Sequence, residues 1–161
     1  MGVIDAVPEP RLTRTLGVGS FADAYAVTCS APALDARSAA QAIFNTPPNW
    51  VRALMRTRNA IVRPFGLKTG LPPPVKLAGG QIRMFPVLAE SPHEILMGLD
   101  DRHLDFRLAV GVLRSGTATK VTVTTVVHTH NLPGRVYLAA ILPFHRVIVR
   151  SMLSAAASAW H

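Results

Sequence analysis

The last third of this sequence places a strand pattern directly before a long apolar segment. Residues 119–130 read T-K-V-T-V-T-T-V-V-H-T-H, and β-branched residues of this kind favour strands. The apolar face of this strand would carry Val121, Val123 and Val127. After N-L-P-G, an apolar stretch continues to about residue 160 and predicts a long helix. This order predicts a helix laid across a sheet, with room for a ligand between the two.

Four further segments have strand patterns. Residues 21–27 alternate large and small side chains, so that Phe21, Asp23, Tyr25 and Val27 share one face. Residues 84–90, 94–101 and 103–114 precede the strand at residues 119–130, and short turns separate them. The last two strands have the spacing of a hairpin, which predicts antiparallel neighbours.

Two helices are predicted between the first strand and the others. One starts in residues 31–35 and runs to about residue 44, and the other runs from 50 to about 65 with Asn49 as its N-cap. Trp50, Leu54, Ile61 and Phe65 share one face of the second helix, whereas Arg52, Arg56 and Arg63 lie opposite. Residues 1–19 are predicted to be an arm and residues 66–80 a loop. Residues 20–161 then form one α+β domain, with helices packed on an antiparallel sheet.

Composition limits the class of protein. The chain has 161 residues, 49% hydrophobic and 16% charged, which suits one folded domain with a sizeable core. The single cysteine, Cys29, excludes an internal disulfide and fits a cytoplasmic location. The start lacks the pattern of a secretory signal. Residues 136–149 are the most apolar stretch, but His145 and Arg146 lie within it, so a soluble protein is predicted rather than a spanning helix.

The formal net charge of +8 raises nucleic acid and anionic lipid as partners. The arginines are spread along the chain, and no run of basic residues or basic-aromatic motif is present. We therefore predict no nucleic-acid partner and leave a weak contact with a membrane surface open. The oligomeric state does not follow from the sequence.

Several stretches resemble a known bacterial family. These are Tyr25 after A-D-A, residues 50–55 (W-V-R-A-L-M) with 58–60 (R-N-A), residues 99–106 (L-D-D-R-H-L-D-F), residues 123–131 (V-T-T-V-V-H-T-H-N), residues 134–138 (G-R-V-Y-L) and residues 142–147 (L-P-F-H-R-V). Together they resemble domain of unknown function 2867 over residues 20–155. The order of elements resembles the START-like and polyketide-cyclase-like (SRPBCC) superfamily. The resemblance implies a helix-grip fold, in which a curved antiparallel sheet wraps a long C-terminal helix around an apolar cavity.

Polar residues on apolar faces are the candidate site residues, because an unpaired buried polar group costs roughly 1–3 kcal/mol. His145 projects from the apolar arc of the last helix, where it could exchange a proton, anchor a ligand or simply bond a backbone carbonyl. Arg58 lies on the apolar side of its helix. It could clamp a ligand carboxylate, pair with Asp23 or extend to solvent. Trp50, Leu54, Phe106, Phe144 and Met152 are predicted as apolar lining.

The polar run at residues 100–105 is a weaker candidate. Alternation along the strand gives Asp101 an inward parity, whereas Asp105, Arg107 and His128 would form a polar ladder across neighbouring strands. His128 and His130 have no third ligand at a supporting spacing, so no metal is predicted. A dinucleotide fingerprint, a P-loop and a G-x-S-x-G motif are all missing, and no cofactor is predicted.

Three functions remain open from sequence. The first is binding of an apolar or amphipathic small molecule, with Asp23, Arg58 and His145 as polar anchors. The second is an enzyme of cyclase, dehydratase or hydrolase type, with His145 as general acid or base and Asp101 or Asp23 orienting it. The third is association with membrane or acyl lipid through the Arg52, Arg56 and Arg63 face. The sequence favours a non-enzymatic binding protein.

Overall fold

Antiparallel strands form the largest element of the fold. The structure is a computed structural model that describes residues 2–17, 20–65 and 79–160. Within these ranges one sheet has the strand order β1-β2-β7-β6-β5-β4-β3, and every neighbouring pair is antiparallel. The strands are β1 (Ile4–Ala6), β2 (Phe21–Cys29), β3 (Gln81–Ile82), β4 (Phe85–Glu90), β5 (Glu94–Asp100), β6 (Leu104–Ser115) and β7 (Ala118–Thr129).

Helices connect and cover this sheet. They are α1 (Pro10–Thr15), α2 (Ala36–Asn45), α3 (Asn49–Val62), which a 3-10 turn (Arg63–Phe65) extends, and α4 (Leu132–Ala157). The side chain of Asp35 caps α2 by accepting from the Ser38 N–H, and Asn131 caps α4 by accepting from the Gly134 N–H. The α+β class predicted from sequence is confirmed, as is the antiparallel sheet with a long C-terminal helix that a helix-grip fold requires.

The main core lies between the sheet and helices α2 and α4. Alternate residues of the central strands face this core, including Val27, Val110 and Val123, all at most 1% exposed. We call this side of the sheet the helix-side face. The opposite side, the back face, carries a smaller cluster in which Leu12 of α1 packs against Ala109 and Val126. The site described below lies on the helix-side face.

The N-terminal segment differs from its prediction as an arm. Ile4, Asp5 and Ala6 extend the sheet by pairing with β2, and Leu12 is 2% exposed against the back face. The segment has too few apolar positions to show a period, so its order depends on contacts made far along the chain. The arm prediction for residues 1–19 was wrong for these two elements.

Smaller differences lie at element ends. Asn49 is the first residue of α3 rather than its N-cap, because Pro48 holds the capping position. The two-residue strand β3 was not predicted, since so short a strand has no readable alternation. The predicted loop at residues 66–80 falls almost entirely outside the described residues.

Helix α4 packs unevenly along its length. Its second half is sealed in the core, with Ile148, Val149, Met152 and Leu153 all buried. In its first half only Gly134 is buried, and the sheet-directed Leu138, Ile141 and Leu142 stay partly exposed. The helix therefore closes tightly on one end of the sheet and loosely on the other.

The start of α4 is fixed by a close approach of two backbones. A Cβ added at Gly134 would lie 2.2 Å from the His103 carbonyl oxygen, far inside van der Waals contact. The His103 carbonyl also accepts the His130 N–H at 2.9 Å. Only glycine at position 134 allows the helix to begin this close to the β5–β6 bend.

Within the described residues, α4 is the one helix long and apolar enough to cross a membrane by length and composition. The sequence prediction against a spanning helix rested on His145 and Arg146, which interrupt the apolar stretch. Core helices of soluble proteins also pass this test. In this fold the second half of α4 contributes Leu153, which is fully buried, to the main core.

Candidate functional site

A carboxylate and an imidazole meet on the helix-side face. Asp23 lies on β2 and His145 on α4, and Asp23 Oδ1 lies 3.2 Å from His145 Nε2. The two side chains are only 14% and 21% exposed. The His145 and Phe21 rings pack in a T-shaped arrangement, with their centroids 6.3 Å apart. Sequence reasoning offered both residues as polar anchors, and the fold brings them together across 122 positions.

Tyr25 extends this pair into a chain of three polar groups. Its hydroxyl donates to Asp23 Oδ2 at 3.2 Å. Burial, reinforced by the Asp23 carboxylate, raises the pKa of Tyr25 to about 12. The phenol therefore stays protonated and remains a donor over the physiological range. Asp23 thus holds an imidazole on one oxygen and a phenol on the other.

Thr125 adds a buried hydroxyl beside the chain. It pairs in register with Asp23 on one side and Leu108 on the other, so it shares their face. Its Oγ1 is buried, and the described residues supply it with no hydrogen-bond partner. Such a group costs roughly 1–3 kcal/mol unless something bonds it. The sequence signal was a threonine at the inward parity between Val123 and Val127, which our sequence reasoning passed over.

Arg58 joins α3 to the loosely packed half of α4. Its Nε donates to the Tyr137 hydroxyl at 2.8 Å, its Nη1 donates to Asn59 Oδ1 at 2.8 Å, and its guanidinium lies 5.3 Å from the centre of the Tyr137 ring. The sequence suggested a pair between Arg58 and Asp23. The contacts of Asp23 within the described ranges are with His145 and Tyr25. Tyr137 was not predicted as a partner, because the packing of α3 on α4 cannot be read from periodicity.

The predicted apolar lining divides into three groups. Phe106 and Leu54 are partly buried and pack against the main core, consistent with an inner surface. Met152 is buried in the sealed half of α4. Trp50 and Phe144 are 44% and 52% exposed, so these two predictions do not fit a place between helix and sheet. Phe144 lies one helical step off the sheet-directed arc, which explains the error.

The polar run near residue 100 lies elsewhere. On the back face, Asp105 Oδ2 lies 3.0 Å from His130 Nε2, and Arg107 donates to Asp100 at 2.6 Å. Asp105 and His128 are register partners, as the predicted ladder requires. Of the two carboxylates offered as partners of His145, Asp23 makes the contact. Among the described residues, no three His, Cys, Asp or Glu side chains could hold a metal together.

An open depression lies away from this site. It has a volume of about 560 Å³ and lies between Gly2, Val3 and the outer surface of residues 150–158. Arg150 forms part of its wall, but that arginine is engaged by Asp5 at 2.9 Å and by the Val3 carbonyl at 3.0 Å. The depression therefore does not coincide with the space predicted beside His145.

The fold and site together define an α+β protein in which a long helix crosses an antiparallel sheet over a small polar cluster. Residues 16–152 match the family described as Protein of unknown function (DUF2867). Because that match spans most of the sequence, the chain belongs to this family, as the resemblance predicted. No curated protein matches the sequence.

Two solved structures are similar over most of the chain. CalU16 from Micromonospora echinospora is 12% identical with a TM-score of 0.42, covering 99% of this chain and 96% of that one. The Zhui aromatase/cyclase from Streptomyces sp. R1128 is 10% identical with a TM-score of 0.32, covering 85% and 93%. Similarity this distant assigns neither an activity nor a ligand.

Proposed function

We propose that this protein binds an apolar or amphipathic small molecule between the helix-side face and the first half of α4. The observation that carries the proposal is the Asp23–His145 contact, which places two polar groups on an otherwise apolar face. Sites for small molecules commonly combine apolar walls with a few convergent polar groups. Tyr25 and Thr125 bring the polar set to four residues.

The hydrogen-bonding capacity of this cluster supports a polar end on the ligand. His145 uses Nε2 toward Asp23, and the described residues offer no partner to its Nδ1. The Thr125 hydroxyl can both donate and accept. A carbonyl or hydroxyl group on the ligand would satisfy these atoms, while its apolar body would contact Phe106 and the partly exposed Leu138 and Ile141. Arg58 stays a predicted anchor for a ligand carboxylate at the α3 side.

The packing of α4 supports the location. A helix whose inner residues remain partly exposed leaves apolar surface that a ligand can cover, at roughly 25 cal/mol per Å². The sealed second half keeps the helix in place when that surface is covered or uncovered. Binding would then need little rearrangement of the sheet.

The test is native mass spectrometry of the whole chain purified from its host, with small molecules identified in a denatured extract. We expect a reproducible apolar compound in the wild-type protein and in His93→Gln, a control at an exposed histidine outside the site. The same compound should be reduced or lost in His145→Gln and Thr125→Val. Thr125→Val keeps the shape of the side chain and removes the unpaired hydroxyl, so it should not destabilise the free protein.

A chain without any bound compound that also fails to bind an apolar fluorescent probe saturably would contradict the proposal. If His145→Gln and Thr125→Val retain the compound as well as wild type does, the protein binds the compound, but the polar cluster does not hold its polar end.

General acid–base catalysis is a second candidate, favoured by the same contact. A carboxylate that accepts from one imidazole nitrogen fixes the tautomer and leaves the other nitrogen as a base. Tyr25 would hold Asp23 in place. The reactions that fit are those of a cyclase, a dehydratase or a hydrolase, in which a proton is removed from or returned to a bound substrate.

The compound found by mass spectrometry, and close analogues, would serve as substrates for this second test. If the protein is an enzyme, Asp23→Asn should lower kcat more than it raises KM, because the wrong tautomer binds without reacting. Tight binding with no turnover by the wild type would exclude catalysis on that compound.

A further inference from the structure

The outward surface of α4 carries an apolar stripe that the fold leaves uncovered. Leu132, Val136, Phe144 and Val147 are 70%, 61%, 52% and 55% exposed. Counted at 3.6 residues per turn, their spacing of four, eight and three residues places them on one side of the helix, with Pro143 between the second and the third. This side is opposite to the arc that carries His145. We call these four residues the α4 outer stripe.

Most charges around the stripe are positive, and the exposed carboxylate of Asp5 beside its C-terminal end is paired with Arg150 of α4. Helices α3 and α4 contain no aspartate or glutamate, and all nine acidic residues of the chain lie outside them. Arg135 and Arg146 are exposed and follow one edge of the α4 outer stripe, separated by three helical turns. An exposed apolar strip beside cations fits a partner that offers both apolar depth and negative charge.

From this arrangement we infer that the α4 outer stripe docks on an anionic membrane surface. The stripe residues enter the boundary between headgroups and acyl chains, and Arg135 and Arg146 contact anionic headgroups. This goes beyond ligand binding between helix and sheet, since it uses the opposite side of the same helix. The sequence already suggested lipid association through Arg52 and Arg56 of α3 and Arg63 of the 3-10 turn that follows, and Arg52 and Arg56 are exposed.

Two other arrangements fit the surface less well. A second copy of the chain would bring together two like surfaces of a protein with a net charge of +8. A membrane crossing by α4 would remove Leu153 and Ala157 from the main core, where both are at most 1% exposed. A helix that lies on the surface keeps the core and the Asp23–His145 contact intact.

The test is co-sedimentation of the whole chain with two kinds of vesicle. One contains phosphatidylcholine alone, and the other contains phosphatidylcholine with phosphatidylglycerol. We expect binding to the anionic vesicles that weakens as salt is added, and much weaker binding to the neutral ones. Since each cation near an anionic surface contributes about 1 kcal/mol, Arg135→Gln with Arg146→Gln should weaken binding roughly thirty-fold.

Matched variants separate the stripe from general properties of the protein. Phe144→Ser with Val147→Ser should weaken binding by at least about tenfold. Leu88→Ser with Leu113→Ser removes apolar groups of similar exposure, 44% and 68%, from the strands and should bind as wild type. Arg14→Gln with Lys120→Gln makes the same change in net charge at exposed sites off α3 and α4 and should weaken binding far less.

The inference fails if the protein does not bind the anionic vesicles at low salt, or if the stripe pair and its strand control lose binding equally. Size-exclusion chromatography with light scattering tests whether a second copy of the chain is the partner instead. A dimer that the Phe144→Ser, Val147→Ser variant dissolves would make the stripe a contact between copies and would overturn membrane docking.

Discussion

The uneven packing of α4 makes a quantitative prediction about two leucines on one helix. Leu153 is fully buried, so Leu153→Ala removes buried methyl groups and leaves a cavity in a sealed core. Such changes cost about 2–5 kcal/mol. Leu138 keeps some contact with solvent, so truncating it loses less transfer free energy than truncating a fully buried leucine. The expected cost of Leu138→Ala is therefore below about 1.5 kcal/mol.

Urea unfolding, followed by circular dichroism, measures both variants in one assay. Changes in the midpoint at a constant slope report the free energy of unfolding. We expect Leu153→Ala to lower the midpoint at least twice as much as Leu138→Ala. If the two substitutions cost the same, the first half of α4 packs as tightly as the second. The proposed ligand site between the sheet and the first half of α4 would then be contradicted.

Three further predictions concern the ends of α4 and α2 and the polar cluster. Gly134→Ala should lower the free energy of unfolding by about 1–3 kcal/mol, because the added Cβ meets a backbone carbonyl. In the same urea assay, the control Gly111→Ala should change it by less than about 1 kcal/mol, because its Cβ meets nothing within 4 Å. Backbone and side-chain hydrogen bonds lower the pKa of Asp35, so Asp35→Ala should cost about 1 kcal/mol at neutral pH. That cost should vanish as the pH falls through this lowered pKa, because the protonated wild type also loses its cap. Urea unfolding across acidic pH measures the difference between the two proteins. A difference that stays constant with pH would show that the carboxylate does not contribute. Ultraviolet titration of the phenol should find Tyr25 ionising near pH 12, and Asp23→Asn should lower this pKa; an unchanged value would contradict the contact.

The fold could be predicted from sequence because its main elements have strong local periods. Residues 104–112 alternate along the strand, residues 118–129 are rich in β-branched side chains, and the apolar arc of α4 spans many turns. Element ends could not be predicted, nor could β1 and α1, which are short and owe their order to distant partners. The strand β3 pairs with its neighbour β4, but its two residues show no alternation. The pairing of β1 with β2 has no signature in the three residues of β1.

The candidate site could be predicted only in part. The alternation of side chains along β2 predicted that Asp23 faces inward, and the helical spacing of apolar residues predicted that His145 faces the sheet. Their contact, however, depends on the angle at which α4 crosses β2. Thr125 and Tyr137 were missed, since a threonine in a strand and a tyrosine in a helix are ordinary. Phe144 was misplaced by one helical step, and that step moved it from the predicted lining to the α4 outer stripe.

The pairing of β2 with β7 sets the order in which the chain can fold during synthesis. β2 ends at residue 29 and β7 begins at residue 118, about ninety residues later. At roughly 5–20 residues per second, the ribosome makes this interval in about 5–20 s. Through that time one edge of β2 lacks the strand that later pairs with it, although β1 can already pair with the other edge. The nascent chain therefore carries an unpaired strand edge, which a chaperone can protect from pairing with other chains, until its last third emerges.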